Sequence, residues 1–102
     1  MSTKLAYQRG DLQVRFVERR VFVGDHEVAL SAREFAVLVY LARNAGRIRS
    51  VAEIFESVWH RPLVDESAYV WTYIRRIRQK LETDPSRPEH VLTQGNRGYL
   101  MR

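Results

Sequence analysis

Arg75, Arg76, Arg78 and Lys80 fall within six consecutive residues that contain no acid. Four cations so spaced suit an anionic partner, and their company narrows the chemistry. At about 100° per residue, Val70, Ile74, Ile77 and Leu81 share one stripe of a helix and must face a core. Ala68, Thr72, Arg75, Arg76 and Gln79 lie opposite, with Tyr69, Trp71 and Lys80 on the shoulders. In a major groove, Arg pairs bidentately with guanine, Gln pairs with adenine, and Thr or an aromatic touches a thymine methyl. Thr72, Arg75, Arg76 and Gln79 are therefore the base-reading candidates. Arg78 sits nearer the apolar stripe, and two readings of it stand: a phosphate contact, or an internal ion pair with a carboxylate. Trp71 is suited equally to covering apolar surface and to touching DNA. A charged face opposite an apolar stripe is also how the solvated side of an ordinary helix looks. The almost purely cationic character of this face, and a further Arg in the hairpin that follows it, favour nucleic acid.

Other chemistries find little footing. There is no Cys, which removes disulfides, thiolate nucleophiles and Cys-based zinc sites. His26, His60 and His90 are far apart, and no HExxH, GxSxG or GxxxxGK pattern occurs. Asp65, Glu66 and His60 surround one loop, where such residues usually cap or are solvated. No enzyme activity, metal or cofactor is expected.

The elements that must position this face follow from 102 residues carrying 17 Lys plus Arg, 12 Asp plus Glu and a formal net charge of +5. That length fits one domain, residues 1–102, with a core that needs no staples. No apolar run approaches the about 20 residues of a membrane span, and Met1-Ser2-Thr3-Lys4 lead into no apolar signal region. A cytoplasmic protein without membrane attachment is expected.

Residues 5–30 read as an N-terminal antiparallel β-meander: Leu5 to Gln8, Leu12 to Val17, Arg20 to Val23, a Gly24-Asp25 turn, and His26 to Leu30. Residues 31–82 turn helical. Ser31-Ala32-Arg33-Glu34 and Ser50-Val51-Ala52-Glu53 are two capping boxes. The first opens a helix with Phe35, Leu38, Val39, Leu41, Ala42 and Ala45 on its apolar face, stopped by Asn44-Ala45-Gly46. The second opens a shorter helix bearing Val51, Ile54, Phe55, Val58 and Trp59, which ends at His60-Arg61-Pro62. Asp65, Glu66 or Ser67 caps the third, which runs to about Glu82. After the Asp84-Pro85-Ser86-Arg87-Pro88 break, residues 91–101 form a hairpin, Val91 to Thr93 and Tyr99 to Met101. The fold class is α+β. Sheet, three helices and a C-terminal hairpin make a winged helix-turn-helix plan.

Leu30-Ser31-Ala32-Arg33-Glu34-Phe35, Leu38, Leu41, Gly46-Arg47-Ile48, Ser50, Val58-Trp59, Val70, Ile74 to Glu82 and Gly98-Tyr99, in this order and spacing, resemble the OmpR/PhoB-type winged-helix effector domain of bacterial response regulators. The likeness runs from about Leu12 to Met101. It implies sequence-specific binding of double-stranded DNA to control transcription in a two-component system. The third helix would enter the major groove and the wing the minor groove, on direct repeats bound by head-to-tail pairs. Carried over by position, Arg75 and Arg76 match the family's paired basic residues, and Arg78 its next basic position. Trp59, Tyr73, Thr93 and Tyr99 match positions that touch the backbone or wing-side bases. Tyr69, Trp71 and Lys80 join the backbone candidates from the shoulders of the helix, and Arg97 joins them from the wing. The loop carrying His60, Arg61, Leu63, Val64 and Asp65 matches the segment that meets RNA polymerase in several members.

Departures from the pattern concern the target more than the fold. Trp71 and Tyr73 stand where the family usually has an acid and a His, Ala68 and Val51 where it often has Arg. The wing Arg has moved two places toward the tip, to Arg97. No receiver segment lies within these residues, so no phosphorylatable Asp is named. No helix shows a second apolar face, so a monomer in solution is expected. The rival reading is a protein-interaction module that turns the same basic and aromatic face to an acidic partner. RNA is a weaker fit, because the aromatics do not lie on a sheet in a base-stacking pattern.

Overall fold

In the computed structural model, which describes residues 5–102, the alternation of Leu12 and Val14 with Gln13 and Arg15 becomes a buried and an outward face of one sheet. Met1, Ser2, Thr3 and Lys4, counted above within the domain and as free of a signal segment, lie outside the described residues. Strands β1 (Ala6–Arg9), β2 (Leu12–Arg15), β3 (Arg20–Val23) and β4 (His26–Val28) pair antiparallel in chain order. Val14 faces Val21 on the buried side. On the other side, Arg15 and Arg20 are cross-strand neighbours and each lies 5.0 Å from the Phe22 ring. Glu18 and Glu27 offset that pair of like charges, at 3.1 and 2.8 Å. The sequence pattern carries two strands further, to Val17 and Leu30. In the structure β2 stops at Arg15 and β4 at Val28; Phe16 keeps the buried alternation of Leu12 and Val14, but the chain already reverses through a turn over residues 16–19, with Arg19 at φ 58°.

Both capping boxes form. Ser31 Oγ accepts from the Glu34 amide at 3.1 Å, and Ser50 Oγ from the Glu53 amide at 3.0 Å. They open α1 (Ala32–Arg43) and α2 (Val51–Trp59). Helix α2 ends where Pro62 demands, with His60 in a left-handed conformation at φ 59°. Helix α3 (Ser67–Leu81) has Glu66 at its N-cap position, yet no side chain caps it. Its stripe is buried as the periodicity requires: Val70, Ile74, Ile77 and Leu81 meet Phe35, Leu38, Leu41, Ile54 and Phe55 in one core with the sheet's inner face. Burying side chains of this size contributes about 1.5–3 kcal/mol each, so the stripe fixes which face of α3 is left outside.

The chain closes with β5 (Val91–Thr93) and β6 (Tyr99–Met101), an antiparallel hairpin. Its inner strand is fastened to the α1–α2 connection: the Arg49 amide donates to the Tyr99 carbonyl at 2.8 Å, and the Tyr99 amide returns the bond at 3.0 Å. Gly98 permits this. It sits at φ 137°, and a Cβ there would collide with the Arg49 carbonyl. No helix among the described residues is long and apolar enough to cross a membrane.

Candidate nucleic-acid interface

With its apolar stripe buried, α3 turns Arg75, Arg76 and Gln79 to solvent. Among the described residues, none of these three side chains makes a hydrogen bond or an ion pair. Thr72 is half-buried, and its hydroxyl donates to the Ala68 carbonyl at 2.8 Å. Its proton is thus used within the helix, leaving a methyl group and an oxygen lone pair for any partner. Tyr69 and Trp71 stand on the shoulders, 53% and 54% exposed.

The two arginines rest on rings rather than on acids. The Arg75 guanidinium lies 5.5 Å from the Trp71 ring centre, and that of Arg76 lies 5.3 Å from Tyr73. Tyr73 in turn meets Trp59 edge to face at 5.4 Å, and Trp59 stacks on Phe55 at 4.8 Å. Trp59, Tyr69, Thr72, Tyr73 and Arg76 line an open hollow of about 360 Å³.

Arg78 does something else. Its Nε donates to the Val91 carbonyl at 3.0 Å and its NH2 to Thr93 Oγ1 at 2.7 Å, with the Tyr99 ring 5.7 Å away. Its partners are therefore wing atoms, not the carboxylate that one sequence reading allowed. Burial between helix and wing pushes the guanidinium pKa down, though Arg remains charged. Tyr99 is itself buried, 8% exposed, so its ring supports the wing from within. Thr93 and Arg97 are exposed on the hairpin.

Two acids complete the frame. Glu82, buried at the end of α3, accepts from the amides of Glu89, His90 and Val91 at 2.9–3.2 Å. One carboxylate thereby seats the start of β5 on the end of the helix. Glu34, also buried, accepts from Lys80 Nζ at 2.7 Å while its capping bond to the Ser31 amide persists. Burial would push its carboxyl up, but the Lys80 and Ser31 hydrogen bonds outweigh that and hold its pKa below the ordinary value.

In the loop before α3, Arg61 pairs with Glu66, whose Oε1 accepts from the Val64 and Asp65 amides, each at 3.0 Å. The Arg61 guanidinium, with the two amides, holds the Glu66 carboxyl down to about 2. Leu63 packs against the core, whereas Val64 is 75% exposed, and His60, Arg61 and Asp65 are exposed beside it.

The family described as "Transcriptional regulatory protein, C terminal" matches residues 25–101. The chain belongs to it. This is an OmpR/PhoB-type winged-helix DNA-binding effector domain. It is 37% identical over 89 residues to the KDP operon transcriptional regulatory protein KdpE of Escherichia coli, covering 87% of this chain and 40% of KdpE. Response regulator DrrB of Thermotoga maritima, an OmpR/PhoB homolog, superposes with a TM-score of 0.88 at 33% identity, over 97% of this chain and 45% of that one. The Klebsiella pneumoniae RstA DNA-binding domain, solved in complex with the RstA box, gives 0.83 at 30% identity, over 96% and 97%. The chain thus spans less than half the length of KdpE.

Three side chains of this effector domain carry no site signal in the sequence, yet the structure brings them to the interface or its frame. Arg33, at the start of α1, lies 4.7 Å from the Trp59 ring. In the sequence Glu34 is half of a capping box and Glu82 a helix end, and neither pattern points to Lys80 or to the wing. Local periodicity carries no signal for any of these roles, since each depends on which distant segment arrives.

Proposed function

We propose that this domain reads duplex DNA with α3 in the major groove and the β5–β6 wing in the adjoining minor groove, residues 1–102 acting as one unit. The observation that carries the reading is the outer face of α3. Arg75, Arg76 and Gln79 are exposed and unpaired among the described residues, on a helix whose other face is locked in the core. Thr72 joins them as a base-reading side chain. Tyr69 and Trp71 contact sugar and phosphate from the shoulders, Thr93 and Arg97 from the wing, and Lys80 through the donors that Glu34 leaves free. Trp59, Tyr73 and Arg78 border the same surface, each already engaged inside the protein, whereas Tyr99 is buried and acts only by supporting the wing. RstA, about 30% identical, has been solved with its DNA box, which supports the assignment.

Sites arranged as direct repeats would take two copies head to tail, each copy monomeric when free. The exposed Val64 and its neighbours His60, Arg61, Leu63 and Asp65 form the surface offered to RNA polymerase, in the cytoplasm. A second reading, an acidic protein partner, is favoured by one observation: Tyr69 and Trp71 leave about half of each side chain in solvent.

Fluorescence anisotropy with random-sequence duplex, titrated with salt, tests the assignment. Binding should weaken linearly in log salt, with a slope near −0.9 for each phosphate neutralised. No binding at low salt would turn the basic face to a protein partner, and Trp71 would then matter more than Arg75 or Arg76.

A further inference from the structure

Arg75 and Arg76 are adjacent in sequence but differ in what stands behind them. Arg75 lies over Trp71, a ring 54% exposed. Arg76 lies over Tyr73, which is half-buried and meets Trp59 at 5.4 Å with the rings inclined by 72°. Trp59 lies nearly parallel to Phe55, 8° apart, and Phe55 is fully buried. Arg33 packs on Trp59 as well, 4.7 Å from its ring centre. An unbroken run of ring contacts therefore leads from the core to the Arg76 guanidinium.

Arg has one of the most flexible side chains, and ordering it at an interface opposes binding. A bidentate pair with a base needs the guanidinium plane held in one orientation. A ring beneath that plane supplies orientation through stacking and cation–π attraction, and does so only as firmly as the ring itself is held.

We infer that Tyr73 is a positioning residue for Arg76, buttressed by Trp59 and Phe55, which makes Arg76 the fixed reader of one base pair and leaves Arg75 adaptable. The inference rests on the DNA reading proposed above and deepens it. Tyr73 acts through its ring, so removing the hydroxyl should matter little and removing the ring should matter a great deal.

Two measurements on the full chain decide it. In the free protein, NMR relaxation of the arginine Nε–H groups should show Arg76 more ordered than Arg75. Tyr73→Leu should bring Arg76 to the level of Arg75, whereas Tyr73→Phe should leave it ordered. Selection from a randomised duplex library should then show one position that Arg76→Ala flattens. Tyr73→Leu should flatten the same position and weaken the preferred site about 5- to 10-fold, with the salt slope unchanged; Tyr73→Phe should retain both. Thermal unfolding checks that each variant folds, and Tyr73→Gln replaces Tyr73→Leu if the latter does not. Equal disorder of the two arginines, or full discrimination without the ring, overturns the inference. Failure of the unmodified chain to bind duplex overturns the DNA reading and the positioning role with it; the NMR comparison distinguishes that failure from loss of ring support.

Discussion

Lys80 and Glu34 stand 46 positions apart, and Nζ of one meets Oε1 of the other at 2.7 Å. The carboxylate is already half of the α1 capping box. The exposed ammonium therefore ties α3 to the start of α1 through a group that also keeps α1 in place.

Lys80→Ala should lower stability by about 1–3 kcal/mol, because it leaves a buried carboxylate short of a partner. The Glu34 carboxyl is held below its ordinary value in the folded state. Its contribution is therefore complete above the unfolded carboxylate pKa and is lost as pH falls through the folded one. Urea midpoints of the two proteins should differ at neutral pH and converge in acid. A difference that grew in acid would contradict the pairing.

Glu82→Ala removes the acceptor shared by three backbone amides at the base of the wing. The expected cost is roughly 2–4 kcal/mol, with amide exchange accelerating first at Glu89, His90 and Val91. Glu82→Gln keeps one acceptor oxygen and should lose less. Unchanged exchange at those amides would mean the wing is seated by something else.

Glu66 offers a spectroscopic test. Its carboxyl should titrate at about 2, held there first by Arg61. Arg61→Ala should move the NMR titration midpoint up toward ordinary carboxylates. Since the folded pKa is the depressed one, acid weakens the loop before α3 and neutral pH restores it. A midpoint unmoved by the substitution would assign the depression to the Val64 and Asp65 amides alone.

Arg76→Ala should cost about 1–3 kcal/mol on the preferred duplex and relax discrimination at one position. A uniform loss on every duplex, read by competition binding, would make Arg76 a phosphate contact.

Much of the frame is legible in local patterns. The Ser31/Glu34 and Ser50/Glu53 spacings name both caps, and the four-three-four step of Val70, Ile74, Ile77 and Leu81 names the buried face of α3. These features repeat within a turn or two of helix, so neighbours in sequence report them. What the pattern misses is long-range. Arg78 invites a carboxylate or a phosphate on composition, yet finds a carbonyl and a hydroxyl on a strand 13 to 15 residues away. Glu66 is among the residues suited to cap α3, but Arg61 and two loop amides draw its side chain backward. Strand ends fail for a different reason: Phe16 keeps the buried alternation of Leu12 and Val14 although the chain is already turning there, so the pattern outlasts the strand.

The fastening of the hairpin to both Arg49 and the end of α3 has a consequence for the double helix rather than for the protein. Gly98 lets strand β6 lie against Arg49, and Arg78 with Glu82 clamps β5 from the other side. The spacing between α3 and the wing is thereby set by contacts within the protein, as in a caliper locked to one opening. For a duplex bound as proposed, the adjustment would fall to the DNA, by bending or by narrowing its minor groove, and the ease of doing so depends on base steps. On the DNA reading, part of the preferred site is then chosen at base pairs that no side chain touches, through their stiffness.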